Sequence, residues 1–224
     1  MKRLAAPISG IVYAVLAVVG LLLIVWEEVD TRTDQEILSY YGNSGNRDTE
    51  GIGFMLMIVG AMAFLWFLSG LRSRLKSVAH ESEILPDLTF AAGVVAAALF
   101  IGGGALLNAT ATTMDVSDKF TVDPDLARFA VAAGYLFLIG SVLINCVLIA
   151  STSVLALRTD VFPSWLGWLG FAAIVAAIVE VFLLPAFTVP VWVLVVSIVM
   201  IRSAPTRDLQ ARDGDRPVEA AGSA

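Results

Sequence analysis

Composition indicates that this chain lies in a membrane. Of its 224 residues, 58% are hydrophobic and only 15% are charged, and the mean hydropathy is +0.84. A soluble domain is about half apolar and a quarter charged. A single cysteine, Cys146, excludes an intrachain disulfide, and a single histidine argues against a zinc site. The net charge of −6 argues against nucleic-acid binding, since the two basic clusters are short: Lys2 with Arg3, and Arg72 with Arg74 and Lys76. We also expect no cofactor or metal.

The first apolar segment, residues 5–26, follows Lys2 and Arg3 as the core of a secretory signal would. It is longer than a signal core, however, and acidic residues follow it instead of a small-residue cleavage site. The sequence therefore predicts a first transmembrane span that stays in the protein.

The loop after this span contains a helix-start pattern. Thr33 and Glu36 have the spacing of a capping box, and Tyr40 and Tyr41 follow them. Two structures fit this pattern: a short helix at the membrane interface, or an irregular loop with both tyrosines in the aromatic belt. Asn43 and the residues just after it are expected to break any such helix.

Further apolar segments cover residues 52–71, 88–109 and 129–151, each near the 20 residues that a span requires. Asp123 and Pro124 resemble a helix cap followed by proline at the first helical position. A last apolar region, broken by prolines, divides into spans 165–184 and 190–203 with a hairpin between them. The second of these is short, so five spans is the alternative count.

The distribution of Lys and Arg favours six spans with both termini in the cytoplasm, because cytoplasmic loops carry the excess of basic residues. This topology places ten basic residues inside and four outside. The inner ones are Lys2, Arg3, Arg72, Arg74, Lys76, Arg158, Arg202, Arg207, Arg212 and Arg216, and the outer ones are Arg32, Arg47, Lys119 and Arg128. The sequence thus predicts an all-α polytopic bundle over residues 1–203. Residues 204–224 have almost nothing to bury and are predicted to be a disordered cytoplasmic tail.

Several stretches resemble a set of actinobacterial six-span integral membrane proteins of unknown function. The clearest is the Arg…Pro-x-Trp-Leu-Gly-Trp-Leu-Gly pattern between residues 157 and 170. The resemblance also includes Asp34, Ile37, Tyr40, Tyr41, Asn46 and Arg47, and the end of the second span at Phe67, Leu68, Leu71, Arg72 and Leu75. It implies a multi-pass protein of the bacterial plasma (inner) membrane and transfers no catalytic residue.

Glu180 is the one acidic residue inside a predicted span. Such a carboxylate is costly in lipid and usually faces the bundle interior or water. Ala172, Ala173, Ala176 and Ala177 precede it at helical spacing and predict a close-packing face that turns Glu180 inward. Three roles remain open: a hydrated or hydrogen-bonded carboxyl near the outer interface, a proton or cation site, and a subunit contact.

The predicted topology places Asn108 and Tyr135 in the same outer third of the membrane as Glu180. These three residues are our candidate polar cluster, either as a site or as hydrogen-bonded contacts between helices.

Three classes of function fit the sequence to different degrees. The best fit is a non-catalytic membrane protein that acts through helix packing with itself or with a membrane partner. The alternative is a small transporter or channel that uses Glu180, although no internal repeat or pair of broken helices accompanies it. An enzyme fits least, because no span carries paired carboxylates or a nucleophile with a base.

Overall fold

The computed structural model describes residues 2–25, 33–79, 83–117, 119–159, 161–183 and 187–202. Over these residues the chain forms helices and turns, with no β-strand. The helices are α1 (Lys2–Val25), α2 (Asp34–Gly42), α3 (Ser44–Lys76), α4 (Leu85–Leu107), α5 (Ala109–Val116), α6 (Pro124–Arg158), α7 (Ser164–Leu183) and α8 (Thr188–Arg202). The predicted all-α class is confirmed.

Five helices, α1, α3, α4, α6 and α7, are long and apolar enough to cross a membrane. The chain is therefore a multi-pass membrane protein. α8 is apolar but has only 15 residues, which extend about 22 Å at 1.5 Å per residue. The predicted tail, residues 204–224, lies outside the described residues.

α3 and α6 are much longer than the apolar segments 52–71 and 129–151 from which they were predicted. They contain 33 and 35 residues, whereas about 20 cross the hydrocarbon. The predicted limits followed hydropathy, but the helices continue through polar turns until a cap stops them. At the start of α6 this cap is the predicted one, because the Asp123 carboxylate accepts a hydrogen bond from the backbone N of Asp125 at 2.9 Å.

The first loop contains the short helix α2 and not the irregular alternative. Thr33 and Glu36 form the full capping box: the Glu36 carboxylate accepts from Thr33 N at 2.7 Å, and Thr33 Oγ1 accepts from Glu36 N at 3.4 Å. Ile37 and Tyr41 are almost completely buried, so α2 packs on the bundle. Asn43 ends α2 as predicted, but its side chain also caps α3, and the chain re-enters a helix at once.

The packed core consists of α1, α3, α4, α6 and α8, and the buried residues of α8 include Trp192, Val193 and Val196. Glycines allow these helices to approach closely, as is common in membranes. A methyl group on Gly20 of α1 would lie 2.8 Å from the carbonyl oxygen of Gly53 in α3. One on Gly103 of α4 would lie 3.0 Å from the carbonyl oxygen of Gly134 in α6. Backbone therefore packs on backbone at two places in the core.

Aromatic rings join three of the core helices in the interior. Tyr13 of α1 stacks on Phe64 of α3 with ring centroids 4.5 Å apart, and it meets Phe100 of α4 edge-on at 6.4 Å. All three rings are buried. Such ring pairs add specific geometry to the dispersion contacts that hold a membrane bundle together.

The two ends of the bundle differ in charge. Each end contains an ion pair that involves α3. At one end, Arg72 at the end of α3 pairs with Asp87 at the start of α4. At the other end, Arg47 at the start of α3 pairs with Asp115 in α5. The end where α3, α6 and α8 finish is called the basic end, and its charged residues with described side chains are Arg72, Arg74, Lys76, Arg158 and Arg202 with Glu83 and Asp87. The opposite, acidic end carries Asp34, Glu36, Asp48, Glu50, Asp115, Asp123, Asp125 and Glu180 with Arg47, Lys119 and Arg128.

α7 and α8 form a hairpin in which α7 lies at the edge of the core and α8 packs on α1. In the most apolar stretch of α7 only 22% of residues are buried, against 39–44% in the other four spans, so α7 is the least enclosed. α8 extends between the two ends of the bundle. Its first amide contacts Glu180 at the acidic end, and its Met200 carbonyl accepts a hydrogen bond from Arg74 at the basic end.

Candidate functional site

Glu180 lies in the last turn of α7 and binds the start of α8. Its Oε1 accepts hydrogen bonds from the backbone N of Phe187 at 2.5 Å and of Thr188 at 3.1 Å, and its Oε2 accepts from Thr188 N at 3.2 Å. The first amides of a helix have no partner inside it, and a negative charge is favourable at this positive end of the helix dipole. The carboxylate therefore caps α8 and closes the hairpin.

The alanine face predicted next to Glu180 is only half correct. Ala177 is fully buried and Ala173 half-buried, but Ala172 and Ala176 are exposed. Positions three and four residues before Glu180 lie about 100° apart around a helix. One edge of the predicted stripe therefore faces the bundle and the other edge faces outward.

Asn108 is buried where α4 ends and α5 begins. Its Nδ2 donates to Thr112 Oγ1 at 2.7 Å, and its Oδ1 has no hydrogen-bond partner among the described residues. Tyr135 is half-buried on α6, directly after Gly134. Asn108 and Glu180 lie on different helices and bind the partners named above, and the grouping of all three residues in one cluster stays a prediction.

Polar side chains also join α4 and α6 at two separate levels of the core. Ser141 Oγ of α6 donates to the Ala96 carbonyl of α4 at 2.8 Å, and Thr89 Oγ1 of α4 donates to Ser151 Oγ of α6 at 2.9 Å. Asn145 Nδ2 donates to the Ser141 carbonyl at 3.1 Å, and its buried Oδ1 has no partner among the described residues. The gap beside Asn145 is too narrow to admit water. These groups hold helices together in a dry interior.

The buried carboxylate that sequence reasoning missed is Glu50, which is only 3% exposed. It lies in α3 one turn after Arg47, whose guanidinium donates to the Tyr41 carbonyl at 2.5 Å and to Asp115 at 2.6 Å. Phe54, one turn further along α3, lies against Gly104 of α4. Glu50 therefore faces the side of α3 that packs on α4 and α5.

A signal for Glu50 was present in the helical spacing. The buried residues of α3 include Glu50, Gly53, Met57, Gly60 and Phe64, which recur every three or four positions. The hydropathy limit at residue 52 excluded Glu50 from the span, so this spacing was not extended back to it. Continuing the spacing of three and four residues back from Gly53 would have identified Glu50 as a buried residue.

The polar groups described here bind backbone amides and neighbouring side chains of the protein itself. In the described part of the chain, no three His, Cys, Asp or Glu side chains lie together as metal ligands would. Comparisons of the chain with protein-family models, curated proteins and solved structures find no match.

Proposed function

We propose that this is a non-catalytic membrane protein that acts by packing the outer face of α7 against the same face of a second copy. This proposal rests on the exposed side of α7, the least enclosed of the five spans. Ala172 and Ala176 are both exposed there, four residues apart. Small residues at this spacing let two helices approach closely in lipid.

The neighbouring side chains form an apolar rim for such a contact. Trp168, Val175 and Val179 lie on the same side of α7 and are 69%, 63% and 49% exposed. Two copies in one membrane share an orientation and are related by a two-fold axis along the membrane normal, so each residue near the axis meets its own counterpart. Ala172 and Ala176 would then form the centre of the contact.

The contacts of Glu180 favour this function over transport. A proton or cation site needs a carboxylate that exchanges its ligand, whereas this carboxylate accepts hydrogen bonds from Phe187 N and Thr188 N. Its capping role explains why a carboxylate occurs near the end of a span. Small transporter or channel activity is the alternative proposal, and a requirement for the Glu180 charge in an uptake assay would favour it.

The proposal includes six spans, with both termini in the cytoplasm of a bacterial plasma membrane. The extension of α8 between the two ends of the bundle supports the sixth span, and the positive-inside rule supports a cytoplasmic basic end. The bacterial membrane follows from the resemblance in residues 157–170. In a Cys146→Ser background, an impermeant thiol reagent applied outside should label cysteines placed at 44 or 117 but not at 77 or 215. Labelling at 77 would overturn this topology.

Cysteine crosslinking tests the contact itself. In the Cys146→Ser background, we expect Ala172→Cys and Ala176→Cys to give oxidised dimers in native membranes. The matched control is Val59→Cys, on the lipid-exposed side of α3, which is 50% exposed and should stay monomeric. Equal dimer formation at all three positions, or none at 172 and 176, would contradict the proposal.

A further inference from the structure

We propose that a cavity at the basic end binds the phosphate group of an anionic phospholipid. The cavity has a volume of about 510 Å³ and lies where α6 ends and α7 begins, beside the end of α3. Its lining includes Arg74, Arg158, Thr159, Phe162 and Ser164. This volume falls within the range of small-molecule sites in proteins.

Arg158 supplies an available positive charge. It is the last residue of α6, is exposed, and makes no ion pair with a carboxylate in the described part of the chain. Arg47, Arg72 and Arg128, in contrast, each pair with an aspartate at 2.6–2.7 Å. A guanidinium binds phosphate through two parallel hydrogen bonds, which makes Arg158 the main candidate for that contact.

Arg74 is held in place at the cavity wall. Its guanidinium lies 5.1 Å from the centre of the Phe162 ring, and Nη1 donates to the Met200 carbonyl at 3.1 Å. A side chain already fixed by such contacts loses little conformational freedom when a ligand arrives. Arg74 therefore adds a preorganised positive charge to the cavity that Arg158 also lines.

The start of α7 adds uncharged donors to the two arginines. Ser164 is the first residue of this 20-residue helix and lines the cavity. The first backbone amides of a helix lack partners inside it and attract phosphate together with the helix dipole. Asp160, between Thr159 and Val161 in the chain, lies outside the described residues and is not part of the proposed site.

The position of the cavity favours a lipid as the source of the phosphate. Trp165 follows Ser164, is 51% exposed, and begins the apolar part of α7. Exposed tryptophans at the end of a span sit at the level of the lipid headgroups, so the cavity opens at that level. Basic pockets between membrane helices are typical headgroup sites.

A bound headgroup would connect Arg74 of α3 to Arg158 at the α6–α7 junction. It would thus stabilise the attachment of α7, the least enclosed span. The site uses neither Ala172 nor Ala176, so lipid binding and dimer contact can fail separately.

Thermal unfolding of the purified full-length chain in neutral detergent tests the proposal. We expect phosphatidylglycerol to raise Tm by about 5 °C, and phosphatidylcholine with the same acyl chains to have no comparable effect. Arg158→Gln should lose more than half of this increase. Lys119→Gln, which removes the same charge from an exposed position at the acidic end, should keep it.

An equal increase in Arg158→Gln, or an equal loss in Lys119→Gln, would overturn the site. The full increase produced by inorganic phosphate at matched ionic strength would overturn the lipid as its source. Native mass spectrometry of the unmodified protein gives a measurement that does not depend on any variant. Phosphatidylglycerol should be retained in preference to phosphatidylcholine at equal concentrations, and equal retention would count against the proposal.

Discussion

Within the core, helix backbones meet directly at glycines, whereas at the turn of the α7–α8 hairpin the carboxylate of Glu180 joins the two helices. Gly20 and Gly53 bring α1 and α3 together, and Gly103 and Gly134 do the same for α4 and α6. In the hairpin, Glu180 caps α8 through two backbone amides. The helices of the core are thus held by the shape of their surfaces, and the turn of the hairpin is held by a polar contact.

This difference accounts for the exposed side of α7. The other four spans also expose large residues, such as Trp66 of α3 and Leu136 of α6, but 39–44% of their most apolar stretch is buried. α7 contacts α6 through Gly167 and Gly170, which lie against Ser153, and has lipid or a partner on its outer side. A span attached in this way keeps an apolar surface for further contacts, which is the basis of the function proposed above.

The largest effect that we predict tests the close packing of the core. A methyl group on Gly53 would lie 2.8 Å from Ile24 Cγ1 and 3.0 Å from the Gly20 carbonyl oxygen. Gly53→Val should therefore push α1 away from α3. Overpacking of this kind costs about 3 kcal/mol, and we expect Tm to fall by about 8 °C in detergent.

Gly51→Val, two residues earlier in the same helix, is the matched control. Nothing lies within 4 Å of a methyl group built on Gly51, so this variant should melt close to the original chain. Similar losses for both variants would show that helix flexibility, and not the contact with α1, determines the stability of this region.

The sequence predicted the core better than the hairpin because hydropathy measures how a segment partitions into lipid. The four long apolar segments could be predicted for that reason. The capping box at Thr33 and Glu36 could be predicted because its two partners are three residues apart. The start of helix α3 was not predicted, because the cap formed by Asn43 lies in a polar stretch outside the predicted span. For the same reason, Glu50 was not predicted to be a buried carboxylate of α3.

The partners of Glu180 depend on how the chain folds back on itself. Its hydrogen-bond donors lie seven and eight residues ahead, beyond the turn of the hairpin. A periodicity argument considers only one helix, so it assigned Glu180 to a face shared with Ala172 and Ala176 and not to the end of α8. The direction of the Glu180 side chain depends on how the hairpin closes, and the spacing of residues within one helix does not show this.

The next effect in size tests the contact that Glu180 makes at the turn of the hairpin. Glu180→Leu removes the acceptor for Phe187 N and Thr188 N, and loss of a helix cap costs about 1 kcal/mol. We expect Tm to fall by about 3 °C. Glu180→Gln keeps one carbonyl oxygen on a side chain of the same length, so its fall in Tm should be less than half that of Glu180→Leu. If Gln costs as much as Leu, the negative charge itself stabilises the hairpin.

The smallest effect concerns the hydrogen bond from Ser141 Oγ to the Ala96 carbonyl, which adds a polar contact to the packed core at 2.8 Å. Hydrogen bonds between membrane helices average about 0.6 kcal/mol, so Ser141→Ala should lower Tm by about 2 °C. Ser69→Ala is the control, because Ser69 is exposed and donates only within α3, to the Leu65 carbonyl. It should leave Tm unchanged. Equal losses in both variants would mean that the core is held by shape alone, with no measurable contribution from this bond.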